Sequence, residues 1–144
     1  MSINRTVFDE VNKKIGNLQQ KFSIEMNWKN KKSEIFEFHT DNWQSANTIA
    51  NGAKVKAIED INDTTNSSSI IYHAPKDSII DSHSHPQIEL CICLSGKLTL
   101  LTEDGNEYLL EPIKSVYISP NKFHSIKFNE ESQILLTWFP KVKI

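Results

Sequence analysis

The chain has 144 residues, sixteen basic and eighteen acidic side chains and a formal charge of −2, a length that fits one domain able to enclose a core without staples. Its charges are interspersed, which excludes the basic stripe that would invite nucleic acid or anionic lipid. Arg5 is the only arginine, so the planar fork that grips phosphates is missing and a nucleotide or sugar-phosphate substrate is disfavoured.

The first residues, Met1-Ser2-Ile3-Asn4-Arg5, lack the apolar stretch of a signal peptide, and no run approaches a membrane span, so a cytoplasmic protein with no membrane partner is expected. Apolar side chains at Phe8, Val11, Ile15, Leu18 and Phe22 recur in steps of three and four, which predicts an amphipathic α-helix over 6–22 capped by Thr6 and Asp9. The stripe is too short for a self-sufficient coiled coil and is expected to pack on the rest of the chain or on a partner subunit. Residues 1–30 are therefore read as an N-terminal helix and lead-in, and residues 31–144 as a β domain.

From about Lys32 the pattern changes to short β-type runs: Ile35–His39, Lys54–Glu59, Ser69–His73, Ser78–Asp81, Ile88–Leu94, Lys97–Thr102, Glu107–Leu110, Ser115–Ile118, His124–Phe128 and Gln133–Phe139. Many short strands in series imply an all-β sandwich or barrel. Ser95-Gly96, Asp104-Gly105-Asn106 and Ser119-Pro120-Asn121 carry the turn chemistry that separates successive hairpins. Asn62–Ser68 reads as a polar loop.

His83, His85 and Glu89 share odd parity, so in extended chain all three side chains leave on one face. The Pro120-Asn121 turn can bring His124 back beside them on a second strand. Three imidazoles and one carboxylate suit iron(II), manganese(II), nickel, copper or zinc, and they stand close to the two-histidine-one-carboxylate set of oxygen-activating iron, with one histidine added. The donor set by itself does not select among these ions. Glu89 either ligates the ion or accepts a substrate proton beside it.

Cys91 and Cys93 share the parity of Glu89 and are expected to point inward as free thiols, with Leu90, Ile92 and Leu94 facing outward. Leu98, Leu100 and Thr102 would line the interior from the next strand. Tyr117, Phe123, Phe128 and Trp138 are candidate walls nearer the mouth of an apolar pocket.

The spacing of His83, His85, Glu89 and Gly96, with His124 downstream, resembles the two motifs of the cupins. The likeness runs over roughly residues 40–140 and is strongest over 83–124. Departures stand at Asp77 and Ile113, where each motif opens with glycine, at Ser119 and Asn121, in the proline and inner glycine places, and at Phe128, in place of the closing asparagine. Trp43, Gly52 and the Lys54–Glu59 run also resemble small single-domain cupins of the acetylacetone-dioxygenase and anti-sigma-factor type. What the resemblance implies is a jelly-roll barrel with one divalent metal inside it, held by His83, His85, Glu89 and His124, and a homodimer. It further implies a metal-dependent enzyme acting on a small organic molecule, foremost a non-haem iron(II) dioxygenase. A metal-dependent isomerase, epimerase or lyase, and a non-catalytic small-molecule sensor, are the alternatives. No DNA-reading helix pair accompanies the barrel.

Overall fold

Alternation of apolar and polar side chains along short runs, punctuated by residues that tolerate left-handed backbone, builds two antiparallel sheets. The computed structural model describes residues 38–59 and 65–142, and these are all-β. The helix expected over 6–22 lies outside the described residues, as does the boundary drawn at residue 31. The larger sheet runs β1 (His39–Thr40), β3 (Lys54–Glu59), β4 (Ser68–Ala74), β11 (Ser132–Phe139), β6 (Ile88–Ser95), β9 (Ser115–Ile118), with β2 (Gln44–Ser45) paired to β3. The smaller sheet runs β5 (Ile79–His83), β10 (His124–Phe128), β7 (Leu98–Thr102), β8 (Glu107–Leu110).

The inward rows of the two sheets make one core, stacked in three layers by cross-strand register. Cys93, Ile134 and Tyr72 are partners at one end of the larger sheet, and Phe128, Leu98 and Leu110 face them from the smaller. The Tyr72 and Phe128 rings, 5.8 Å apart, tie the sheets together there. Cys91, Leu136 and Ile70 in one sheet and Ile126, Leu100 and Ile80 in the other form the middle layer. The third layer holds Glu89, Trp138 and Ile118 opposite His124, His83 and Thr102. On the outer face of β6, Leu90 and Ile92 are half-buried and Leu94 is exposed.

Four tight points of backbone hold this arrangement. Gly96 has φ +84°, and a Cβ there would run into the Ser132 hydroxyl and the Glu131 carbonyl, so the turn after β6 admits only glycine. Asp77, Ile113 and Asn121 occupy the places where the cupin motifs carry glycine, and all three keep the left-handed backbone, at φ 67°, 76° and 63°. Asparagine and aspartate tolerate that region, whereas a β-branched side chain is strained in it. Ile113 bears that strain with its side chain 88% exposed.

Candidate metal centre

Each of the four polar side chains reaches the third layer by a different device. His83 ends β5 and pairs with His124, while Ile80 pairs with Ile126, so β5 carries one extra residue in that interval. Without this bulge, the alternation that turns Ile80 inward would turn His83 out. His85 lies in the turn after β5, which crosses from the smaller to the larger sheet, and Glu89 sits inward on β6. The shared odd parity of His83, His85 and Glu89 is therefore not what gathers them, because they do not lie on one strand; the bulge and the crossing turn do that. Asn121 donates its N–H to the His85 carbonyl over 2.7 Å, so the turn that precedes His124 also anchors the loop bearing His85.

The three imidazoles are held in the same way. Nδ1 of His83 lies 2.7 Å from the Asp81 carbonyl, Nδ1 of His85 lies 3.0 Å from that of Gln87, and Nδ1 of His124 lies 2.8 Å from that of Lys122. A carbonyl only accepts, so each Nδ1 carries the proton and each Nε2 is left to bind an ion. His85 Nε2 stands 3.1 Å from Glu89 Oε1, and His124 Nε2 stands 3.4 Å from Glu89 Oε2. The last is an ion-pair distance without hydrogen-bond geometry, and His124 Nε2 remains a buried atom with no hydrogen-bond partner.

One donor atom from each of His83, His85, Glu89 and His124 lies within 4.8 Å of the others. Opposite donors of a single transition-metal ion stand about 4 Å apart, so a small inward adjustment places all four in one shell. Three neutral nitrogens and one carboxylate, with a buried nitrogen otherwise unpartnered, fit a divalent cation.

Burial pushes the Glu89 carboxyl up, but His124, the Trp138 N–H and His85 together outweigh it and hold the group below the ordinary glutamate range. For His124, burial acts downward, while Glu89 and the Lys122 carbonyl act upward and prevail. The two side chains, 2% and 1% exposed, hold each other charged when no ion is present. Burial and the neighbouring Glu89 push the Cys91 thiol far up, and burial also raises that of Cys93. Both are inert core thiols rather than nucleophiles or ligands.

A cavity of about 410 Å³ opens beside the cluster, lined by Leu100, Thr102, Tyr108, Ile118 and Lys122 among others, with Tyr117 at its edge. Thr102 is the cross-strand partner of His124, and Ile118 that of Glu89, so the chamber wall lies beside the strands that carry two of the ligands. Of the pocket residues expected from sequence, Leu100 and Tyr117 line this chamber. Cys91 and Cys93 lie in the core behind it, fully buried. Phe123 is half exposed and outside the lining. Phe128 belongs to the opposite end of the barrel. Trp138 is not a wall of the chamber either: its indole N–H donates to Glu89 Oε1 over 2.7 Å. Tyr108, Glu103, Asp104 and Lys122 also line the chamber and are not among the pocket residues expected from sequence. The inward parity of Tyr108 with Leu110 was the one signal available.

A cupin-domain family model matches residues 70–140. Among solved structures, KdgF from Halomonas sp. superposes with a TM-score of 0.63 at 15% identity, covering 72% of this chain and 89% of that one. An RmlC-like cupin from Shewanella frigidimarina gives 0.60 at 18% identity, covering 75% and 92%. A structure of the DMSP lyases RdDddP and RnDddQII gives 0.56 at 14% identity, covering 67% of this chain and 55% of that one. No curated protein sequence matches the chain. The motif spacing, the two packed antiparallel sheets, the family match and these neighbours agree, and the chain is a small cupin-domain protein.

Proposed function

We propose that this cupin is a metal-dependent enzyme acting on a small organic molecule, with an iron(II) dioxygenase-type oxidoreductase as the leading reading. One observation carries it: three imidazoles, each with its Nδ1 engaged by a backbone carbonyl, bring a donor atom apiece within 4.8 Å of one another and of a buried carboxylate, beside an open chamber. Iron(II) or another redox-active ion bound by these four side chains would supply redox chemistry with dioxygen, whereas zinc would supply Lewis acidity alone.

The chain's own residues set the surroundings. The carbonyls of Asp81, Gln87 and Lys122 fix the tautomers and keep Nε2 basic. Leu100, Val116 and Ile118 give the chamber apolar walls that exclude water from the substrate's reacting end. Lys122, ion-paired with Glu103 at 3.4 Å, is the one cation among the described residues of the lining, and Thr102, Ser119 and Tyr108 offer hydroxyls for orientation. This mixture suits a partly apolar, oxygen-bearing molecule.

A lyase or isomerase working without oxygen is the second reading. Glu103, Asp104 and Tyr108 bring ionisable groups to the chamber, where proton abstraction beside a polarised carbonyl needs them, and a structure of DMSP lyases shares the fold. A small-molecule sensor is the non-catalytic alternative. The half-buried Leu90 and Ile92 on the outer sheet face support the homodimer, and the cytoplasmic setting rests on the expectations stated above. Among the described residues no helix is long and apolar enough to cross a membrane.

The test is oxygen consumption by protein loaded anaerobically with iron(II) and offered diketones, thiols and flavonols. Substrate-dependent oxygen uptake is the expected result. Turnover that proceeds equally well without oxygen moves the assignment to the lyase or isomerase class, and no turnover with any divalent metal leaves the sensor.

A further inference from the structure

Trp138 and Glu89 are directly opposed in the pairing of β11 with β6, and both side chains turn inward. The indole Nε1–H reaches Glu89 Oε1 at 2.7 Å, shorter than the 3.1 Å between that oxygen and His85 Nε2. Indole nitrogen is a donor only, so this bond survives whatever protonation or ligation the imidazoles undergo. The other oxygen, Oε2, faces His124 Nε2 at 3.4 Å. Glu89 is 2% exposed and has no solvent into which it can relax, and the partly buried Trp138 packs against the core.

We propose that Trp138 is a positioning residue: its indole N–H pins Oε1, turns Oε2 toward His124 Nε2 and keeps Glu89 a fixed one-oxygen ligand rather than a carboxylate that swings away to take a proton. The inference rests on the metal-dependent reading and deepens it, because it decides between the two roles that the sequence leaves open for Glu89. A short charge-assisted hydrogen bond in a dry site holds a carboxylate's rotation, and groups that orient a ligand in this way account for about 10–100-fold in metal affinity. Glu89 cannot then serve as the mobile base, and proton transfer in the chamber falls to Glu103, Asp104 or Tyr108.

The experiment compares zinc affinity, by competition with a chromogenic chelator, in the unmodified protein and in Trp138→Phe, which keeps an aromatic ring and removes the donor. Zinc binding is expected to weaken by about 10–100-fold, while the metal-free variant keeps the strand signature of its circular dichroism. In parallel, the indole ¹H–¹⁵N resonance of Trp138 is followed in the folded protein. It should move in Glu89→Gln and again on adding zinc, with the resonance of Trp43 unmoved. This second arm decides the matter if Trp138→Phe does not fold. Zinc affinity within twofold of the unmodified protein, or a Trp138 resonance indifferent to both changes, overturns the assignment of Trp138 alone. Failure of the unmodified protein to bind zinc, iron(II), manganese, nickel or copper overturns the metal centre, and this inference with it.

Discussion

The two ends of the barrel interior are built on the same strands and do opposite things. Along β6 the inward row runs Glu89, Cys91, Cys93, and along β10 it runs His124, Ile126, Phe128, so within two steps an ionisable layer gives way to a dry one. Each end also holds a buried polar atom without a hydrogen-bond partner: His124 Nε2 among the ligands, and the Tyr72 hydroxyl against Phe128. The lesson lies in what surrounds the two orphans. His124 Nε2 has three further donor atoms within ligand distance and a reason to be bare, whereas the Tyr72 hydroxyl has only apolar neighbours in its layer and is a cost of burial.

Removing packing at the dry end should have the largest effect. Phe128→Ala is expected to cost about 3–5 kcal/mol of stability, read from denaturant unfolding of the metal-free protein, while the folded fraction at low temperature still binds one divalent ion. Loss of metal affinity in step with stability would show that the two ends are not separable. Next is His85→Ala, which removes a donor itself rather than a group behind it. It should weaken metal binding by more than about 100-fold, the upper end for outer groups, with little loss of metal-free stability.

Acidification comes third, and its sign differs between the metal-free and metal-bound states. Glu89 is held below its unfolded value, so its stabilising contribution is present above that value and is lost as pH falls through the depressed one. His124 is held above its unfolded value, so its contribution is complete below that value and is lost as pH rises through the raised one. The pair therefore supports the metal-free fold between those two limits. An ion needs His124 neutral, so metal affinity should fall by about tenfold per pH unit below the raised His124 value. A titration of zinc affinity against pH checks this, and a flat profile across that range would contradict the ligand role of His124. The smallest effect should come from Tyr72→Phe, which removes the functionless orphan. It is expected to raise stability by about 1 kcal/mol and to leave metal affinity unchanged, measured by the same unfolding and competition assays.

Much of this contrast was legible in the residues themselves. Runs bounded by Gly105 and Asn121 predict β8, β9 and β10 with the bounds observed, because those positions carry the left-handed backbone that ends a strand. The inward parity of Cys91 and Cys93 followed from simple alternation along an unbroken β6. Parity misled where the chain is irregular: the extra residue in β5 that turns His83 inward, and the turn between β5 and β6, leave no period-two trace. The two-residue β2 is too short to show any. Trp138 illustrates a different limit. Its inward direction follows from Ile134 and Leu136, but its contact with Glu89 depends on the register of two strands far apart in sequence, and a single chain does not display that register. The chamber residues were hidden for a related reason, since Glu103, Asp104 and Lys122 belong to turns whose direction only the folded barrel sets.

The account stands on four side chains sharing one ion, and calorimetric titration of the untagged protein with zinc, and with iron(II) under anaerobic conditions, tests it most directly. It predicts one ion per chain in the unmodified protein and none at comparable affinity in His124→Ala. An unmodified protein that takes up no divalent ion, or a His124→Ala protein that still takes up one as tightly, would contradict it.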